Sequence, residues 1–309
     1  MRLGVLDIGS NTVHMLICDI REGSAPLPAL SVKKPMRLIE HLDKQGAFLP
    51  SMTSDLIQTI QELTAQAEAQ GCSEILAFAT SAIRDASNGE ELLAEVFNQT
   101  KQRIDVLSGA EEAKLTFLAT RRWFGWSSGV LLVLDIGGGS FEIAVGTGEQ
   151  PDVAISLPLG AGRLTRDFNL SDPPTSKEVK ELQKYVRQEI ANVVSEVSKT
   201  GLADHVVGTS KTFRSLARIA GAAPSSEGPR ERRFLWDTDL REITDELVGM
   251  SRKERTNLPG VSASRAEQLA AGAIVASTAV DLLNVEVVEI GPWALREGIL
   301  LKHIDGMHR

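Results

Sequence analysis

The chain has 309 residues, 42% of them apolar and 24% charged, a composition that suits a soluble globular protein of about two domains. Its net charge of −8 argues against broad electrostatic binding of nucleic acid or of an anionic membrane, so a polyanionic ligand would need a local basic site. The two cysteines, Cys18 and Cys72, lack ligand-like spacing, no signal-peptide pattern opens the chain, and no apolar run approaches the ~18 residues of a membrane span. The expectation is a cytoplasmic protein with reduced thiols.

In chain order, residues 3–8 read as a buried strand, and Val13–Ile20 as its hairpin partner across the turn Gly9–Thr12. A Pro-containing connection, Ser24–Lys34, and a mixed segment to Pro50 follow. A helix is expected from Thr53 as N-cap, with Leu56, Ile57, Ile60, Leu63 and Ala67 on one face and Gly71 as its stop. The strand Glu74–Ala79 delivers Thr80, Ser81 and Arg84 at its carboxyl end. A helix over 89–99, a strand Ile104–Leu107 and a helix from Ser108–Gly109 to about Trp123 complete the first half.

The second half repeats the opening: a strand over 130–135, a glycine turn, then strands Phe141–Gly146 and Val153–Pro158, with 160–163 closing the meander. Ser176 is expected to cap a long amphipathic helix to Val197, ended by Gly201. The strand His205–Val207 feeds Gly208-Thr209-Ser210-Lys211-Thr212 and another helix. Gly221–Arg233 reads as a solvated loop, helices are expected over 239–250 and 264–283, and Val285–Ile290 and Ala294–His303 form the last strand and helix.

The repeat is explicit. Residues 3–12 and 131–140 align at an offset of 128, with Leu, Val, Leu, Asp, Ile and Gly identical at six of ten positions. Two halves that each begin strand–Asp–Gly turn–hairpin predict duplicated α/β domains with mixed sheets. Ligands of such sheets sit at the carboxyl ends of strands. Two Asp-Gly loops facing each other across an interdomain cleft would grip one ligand from both sides. Loops rich in N–H groups suit a chain of phosphates, and flanking acids suit a hard cation beside it.

Several side chains sit where such chemistry needs them. Asp7 and Asp135 end equivalent strands, and Glu142 follows Asp135 across the turn, sharing its direction if the turn folds back. Glu111 and Glu112 lie in the first turn of a helix, where an acid complements the helix dipole or, held near phosphorus, acts as a general base for water. Arg84 either pairs with Asp85 or Glu90 or donates to phosphate oxygens. Gly208–Thr212 contains the tail of a phosphate-binding loop but has Ser210 where the G-x-x-x-x-G-K pattern requires glycine, so it reads as a strand-to-helix turn that aims N–H groups and Lys211 at an anion. The cluster Arg230-Glu231-Arg232-Arg233 reads as a solvated loop, with guidance of a polyanion as the alternative. The five histidines show no metal-ligand spacing, and no G-x-S-x-G elbow is present.

Five motifs occur in order: Asp7-Ile8-Gly9-Ser10-Asn11-Thr12, Thr80-x-Ala82-x-Arg84-x-Ala86, Ser108-Gly109-x-Glu111-Glu112-Ala113, Asp135-Ile136-Gly137-Gly138-Gly139-Ser140-x-Glu142 and Leu295-Arg296-Glu297-Gly298. Together they resemble the exopolyphosphatase / guanosine pentaphosphate phosphohydrolase (Ppx/GppA) family, in its short two-domain form. The resemblance implies duplicated ribonuclease H-like domains of the actin/hexokinase/Hsp70 superfamily, with mixed five-stranded sheets and an interdomain cleft. It places the first domain at 1–123, the second at 124–295, and a C-terminal helix of about 296–309 back on the first. It implies hydrolysis of a terminal phosphoanhydride with a divalent metal, magnesium or alternatively manganese. Glu112 would be the base, with Glu111 as its possible substitute, and Arg84 would stabilise charge. Asp135, Glu142 and Asp7 would serve the metal. Gly9, Ser10, Asn11, Thr12, Thr80, Ser81, Gly137, Gly138, Gly139, Ser140, Gly208, Thr209, Ser210 and Lys211 would bind phosphate. The chain departs from the family in having Lys211 where glycine is common and Ala294 before the Leu-Arg-Glu-Gly tail.

The leading expectation is an exopolyphosphatase acting on inorganic polyphosphate, with hydrolysis of pppGpp to ppGpp as the alternative. A catalytically silent phosphate or nucleotide sensor is disfavoured by retention of Glu111, Glu112, Asp135 and Glu142. A sugar or acetate kinase is disfavoured by the Ser-Gly-x-Glu-Glu-Ala segment. No nucleic-acid or membrane partner is expected, and the apolar C-terminal helices would suit a homodimer.

Overall fold

The computed structural model describes residues 1–21 and 24–307. Its contacts divide the chain into two units, Met1–Ser108 together with the chain from Ile299 onward, and Gly109–Gly298.

The first unit opens with β1 (Arg2–Ile8), β2 (Thr12–Asp19) and β3 (Leu27–Pro35), followed by α1 (Pro50–Ala69), β4 (Glu74–Ala79), α2 (Ser81–Arg84), α3 (Gly89–Thr100) and β5 (Asp105–Val106). The strands form one mixed sheet in the order β3-β2-β1-β4-β5, antiparallel through β1–β3 and parallel from β1 to β4 and β5. Leu6 and Ile8, Val13, Met15 and Ile17 alternate along β1 and β2 and meet Leu56, Ile60 and Leu63 of α1 in one buried cluster.

The segment expected to be an irregular connection over 24–34 is mostly β3. Its side chains alternate between exposed and half-buried, and it carries two prolines and two lysines, so no apolar pattern marks it. Such residues belong on a sheet edge, where unpaired N–H groups are a liability and proline costs no ladder bond. The register shifts between Ile17 and Cys18, where Pro28 stands opposite Cys18. The first helix also begins earlier than Thr53. Pro50 occupies its first turn, where a missing N–H is harmless, and Thr53 is buried within the helix.

The second unit contains α4 (Gly109–Phe124), β6 (Leu131–Ile136), β7 (Phe141–Gly146), β8 (Val153–Leu157), α5 (Ala161–Asp167), α6 (Ser176–Val197), β9 (His205–Gly208), α7 (Lys211–Ile219), β10 (Phe234–Trp236), α8 (Asp237–Gly249), α9 (Arg252–Thr256), α10 (Ala263–Ala266), α11 (Leu269–Leu282) and β11 (Val287–Ile290); α12 (Leu295–Met307) starts in it. Its sheet has the order β10-β11-β9-β6-β7-β8. Without β10 this is the first unit's order read from the other edge: a three-stranded antiparallel meander, then two parallel strands. The two units are α/β with mixed sheets of one repeated topology, as the duplicated motifs predict, with one correction. The second sheet has six strands, because Phe234–Trp236 adds an antiparallel edge to β11. Three residues are too few to display a period-two signal.

Both faces of this sheet are covered. Leu132, Leu134, Ile136, Ile143 and Val145 face α6 and α11 in the larger core, while Leu131, Val133, Ala144 and Val207 meet Ala113 and Phe117 of α4. That second cluster puts residues 109–124 with the second unit, so the division falls at Ser108 instead of Trp123. On α6, Leu182, Val186 and Ile190 are fully buried at four-residue spacing. Each such aliphatic side chain contributes roughly 1.5–3 kcal/mol. The helix starts from a capping box of Thr175 and Glu178, one residue before the expected Ser176 cap.

The helix expected over 264–283 is interrupted between α10 and α11. The buried Arg255 takes the carbonyls of Ala266 and Glu267 through Nη1, at 2.7 and 3.1 Å, so those acceptors are used outside a helical ladder.

Candidate active site

The second unit's site follows from sheet register. Asp135 lies directly opposite Glu142, and Glu142 opposite Ser156. Alternation along β6 puts Asp135 on the same face as Leu131 and Val133, the face that α4 covers. The turn therefore does fold Glu142 back beside Asp135, as the hairpin geometry requires.

Helix α4 brings the third acid. Gly109, its first residue, packs so closely on β8 that an added Cβ would stand 2.2 Å from Ser156 Cβ and 2.4 Å from its Oγ. No other residue type fits without movement. From that anchor the first turn presents Glu112 to the acid pair, buried at 7% exposure, whereas Glu111 is exposed. At the other side of the helix, Gly298 lies against the backbone of Leu115, where an added Cβ would be 2.0 Å from the carbonyl oxygen. The glycines of the Ser-Gly-x-Glu-Glu and Leu-Arg-Glu-Gly motifs thus allow close approach to α4 and β8.

Electrostatically the cluster is under load. Burial, with the neighbouring charges of Glu112 and Asp135, pushes the Glu142 carboxyl well above the usual range, against hydrogen bonds from Ser140 and Ser156. The Ser156 hydroxyl donates to Glu142 Oε1 at 2.8 Å. Burial also raises Asp135, opposed by the Thr209 hydroxyl, which donates to Oδ2 at 2.7 Å, and by the charges of Arg214, Arg296 and Arg265. Glu142 is thus an acid whose ionised form is disfavoured by two neighbouring carboxylates, a setting that a hard cation would relieve. Among the described residues no group of three or more His, Cys, Asp or Glu is arranged to hold a metal by itself. Asp135 and Glu142 fit magnesium in its usual manner, in which one or two carboxylates share the ion with water and substrate phosphates.

The glycine turn beside these acids is tightly built. Gly137 N–H donates to the Ser140 carbonyl at 2.9 Å, while the Gly137 and Gly138 carbonyls accept from Ala161 and Arg163 N–H groups at 3.0 and 2.9 Å. Gly160 presses on this turn, and an added Cβ there would meet Gly139 and Ser140 backbone atoms at 2.2–2.4 Å. The strand-to-helix turn after β9 joins the same assembly. Thr209 is buried on Asp135, Thr212 Oγ1 donates to the Ile136 carbonyl at 2.9 Å, and Ser210 caps α7 by accepting from Phe213 N–H. Gly208 lies under the Phe213 ring. Lys211 is exposed and donates to the Gly260 carbonyl at 3.1 Å.

The first unit carries the twin turn. Gly9 N–H donates to the Thr12 carbonyl at 3.1 Å, the counterpart of the Gly137–Ser140 bond. Ser10, Asn11, Thr80 and Ser81 are all buried, and the Ser10 and Ser81 hydroxyls are 3.2 Å apart. Asp7 stands where Asp135 does, but its cross-strand partner is His14, which is hydrogen-bonded to Ser31, so the duplicate keeps one acid and lacks the other. Arg84 pairs with Asp85 at 3.2 Å and donates to the Leu107 carbonyl at 2.8 Å. The Asp85 pairing open at the level of sequence is present, and the second bond ties α2 to the segment that precedes Ser108.

Sequence reading missed Ser156, Arg214 and Arg265. None lies in a motif, and each reaches the acids from a separate element. Only Arg214, three residues after Lys211 on the same helix face, carried a signal in its spacing.

Among the described residues no helix is long and apolar enough to cross a membrane. Residues 16–306 match the Ppx/GppA phosphatase family. The chain is 49% identical over 305 residues to exopolyphosphatase 1 of Mycobacterium tuberculosis, covering 99% of this chain and 89% of that protein. It is 47% identical to exopolyphosphatase 1 of Mycobacterium leprae, covering 99% and 90%. The crystal structure of an Aquifex aeolicus member of the Ppx/GppA family superposes with a TM-score of 0.84 at 26% identity, over 100% of this chain and 99% of that one. An exopolyphosphatase structure from Cytophaga hutchinsonii, at 23% identity, has the same fold, with a TM-score of 0.89 over 99% and 98% of the two chains. With the paired Asp-Gly turns and the Ser-Gly-x-Glu-Glu helix in place, a match of this extent makes the chain a member of the Ppx/GppA phosphatase family.

Proposed function

We propose that the chain is an exopolyphosphatase, hydrolysing the terminal phosphoanhydride of inorganic polyphosphate to release orthophosphate. The identity to exopolyphosphatase 1 over nearly the whole chain supports the substrate. The observation that carries the chemistry is the trio of buried Glu112, buried Glu142 and half-buried Asp135 on one face of the second unit.

In this reading Glu112 is the general base. It is buried, it begins a helix held in place by Gly109, and it faces two acids that would themselves be neutralised by a cation. Asp135 and Glu142 are the residues that would hold magnesium or manganese, which when bound offsets charge on the phosphate oxygens. In the second unit the turns Gly137–Ser140 and Gly208–Ser210 bind phosphate through N–H groups other than those of Gly137 and Thr209, which donate to the Ser140 and Leu134 carbonyls, and Arg214, Arg265 and Arg296 add positive charge. In the first unit Gly9–Thr12, Thr80, Ser81 and Arg84 have the corresponding role, with Asp7 at the position equivalent to Asp135. Glu112 takes a proton from water as oxygen attacks the terminal phosphorus, and the leaving chain departs with the electron pair of the P–O bond.

The test measures orthophosphate release from polyphosphate with magnesium for wild type, Glu112→Gln and Glu111→Gln. Removal of the base costs about 10²–10⁴-fold in kcat. The exposed Glu111 variant stays within about tenfold. Equal losses in both variants, or an active Glu112→Gln enzyme, would remove the assigned base. Faster turnover of pppGpp than of polyphosphate in the same assay would replace the substrate and leave the site.

A further inference from the structure

Two features of the sequence have no role in the acid cluster described above: Lys211 and the Arg230–Arg233 cluster. The fold brings one residue of each to the same place. A cavity of about 390 Å³ in the second unit is lined by Lys211, Arg214, Arg218 and Arg233, with Gly260 and Pro292 among its other walls. That volume is in the range of a small-molecule site. Lys211, Arg214 and Arg218 come from one face of α7 at positions i, i+3 and i+7. Arg233 reaches in from the segment before β10 and holds the opposite wall, donating to the carbonyls of Ala223, Pro224 and Gly228 at 2.7–3.1 Å.

The chemistry of the lining is one-sided. Four cations face the space and none of the lining residues is an aspartate or glutamate, in a chain whose net charge is −8. The guanidinium groups bond to carbonyl oxygens, which satisfy donors without neutralising charge, while Arg214 is in addition within electrostatic range of Glu297 and Asp135. Arg218 Nη1 donates to the Ala222 carbonyl at 2.8 Å, and Arg214 Nη2 to the Gly291 and Pro292 carbonyls at 3.1 Å. Arg218 and Arg233 form no ion pair with a carboxylate among the described residues. The lining holds no aromatic ring, and Ser225 is its one neutral polar side chain, a poor set for a purine. A flexible polyanion suits it better.

The cavity and the acid cluster share the turn and helix that follow β9. Arg214 lines the cavity and is within electrostatic range of Asp135. Thr209, two residues before Lys211, donates to Asp135. We propose that this cavity is a distal subsite for the phosphate chain, holding units of the polyphosphate beyond the bond being cleaved. The assignment rests on the polyphosphate reading above and goes beyond it by giving Lys211 and Arg218 a part in selecting chain length. A substrate too short to extend from the acids to α7 gains nothing from these cations, whereas a longer chain gains charge-assisted bonds to both.

The test is calorimetric binding, without metal, of pyrophosphate, medium-chain polyphosphate and ATP to wild type, Lys211→Met and Arg218→Met, paired with steady-state kinetics in magnesium. Loss of one partly exposed charge-assisted contact corresponds to roughly five- to tenfold in affinity. Lys211→Met is expected to weaken medium-chain polyphosphate by that factor, in Kd and in KM, and pyrophosphate by less than about twofold. Arg218→Lys should recover much of what Arg218→Met loses, and the exposed Lys211 position guards against misfolding as the cause. Equal weakening for short and long chains, or none for either, overturns the subsite. Tighter binding of ATP than of polyphosphate, abolished by Lys211→Met, overturns it in favour of a nucleotide site. If polyphosphate is hydrolysed and the chain-length ratio does not move, only the subsite falls. If polyphosphate is neither bound nor hydrolysed, both readings fall.

Discussion

Replacing Gly109 by alanine tests how α4, which carries the proposed base, is positioned. The added Cβ would lie 2.2 Å from Ser156 Cβ, and ordinary contact begins at 3.4 Å, so helix and strand must separate locally by about 1 Å. Overpacking of this kind costs about 1–3 kcal/mol. Alanine at a helix start regains part of it, roughly 0.5–1 kcal/mol, so the net stability change is small. Catalysis has no such compensation. Glu112 follows Gly109 by one turn, and a displacement of about 1 Å at the reacting groups costs on the order of 10²-fold. The assay is orthophosphate release from polyphosphate under saturating substrate, with the thermal midpoint measured on the same samples. The expected result is a kcat lower by about 10–100-fold with a midpoint shifted by only a few degrees. Combining Gly109→Ala with Ser156→Gly removes the clash and should restore part of kcat, less the contribution of the Ser156–Glu142 hydrogen bond. A Gly109→Ala enzyme within twofold of wild type would refute the idea that this contact sets the base.

Glu142→Gln should abolish activity and stabilise the metal-free protein. The folded pKa is raised, so the folded state holds more protons than the unfolded state between the two values, and stability falls as pH rises from the ordinary carboxylate range through the folded pKa. The variant's gain, on the order of 1–2 kcal/mol at pH 7, should vanish near pH 4, as read from denaturant midpoints in chelator-treated buffer. A less stable Glu142→Gln protein at pH 7 would show that the acid cluster is not under load. Arg121 is 2% exposed and donates to Ser128 Oγ and to the carbonyls of Gly129 and Gly146 at 2.7–2.9 Å. Arg121→Met strands those buried acceptors, with an expected loss of about 3 kcal/mol, or roughly 6–12 °C in Tm, and little change in kcat for the protein that remains folded. A Tm within two degrees of wild type would contradict that role.

What could be read along the chain was whatever repeats locally. The two Asp-Gly turns share six identities at a constant offset because the same strand, turn and hairpin must be encoded twice, and backbone bonds from Gly9 and Gly137 close them alike. The large helix α6 was legible from its apolar spacing. Strand β3 was not, because an exposed edge with prolines and lysines has no face to bury. The break between α10 and α11 depends on Arg255, which lies 11 residues before Ala266 in sequence and reaches its carbonyl only after the chain has folded.

The acids themselves were visible as residue types beside glycines, and the motif resemblance implied roles for them. Their arrangement was not visible. Sequence alone determined that Asp135 and Glu142 flank a turn and that two adjacent glutamates start a helix. Tertiary structure decided that the turn places the first two across a ladder, and that Gly109 on Ser156 sets the rotation of α4 so that Glu112 is buried and Glu111 exposed. It also decided that Lys211 and Arg233, 22 positions apart and noted in the sequence as separate features, line one cavity. The physical reason is the same in each case. Periodicity reports what a segment buries, whereas a site is a meeting of segments, fixed by close contacts whose partners lie far apart along the chain.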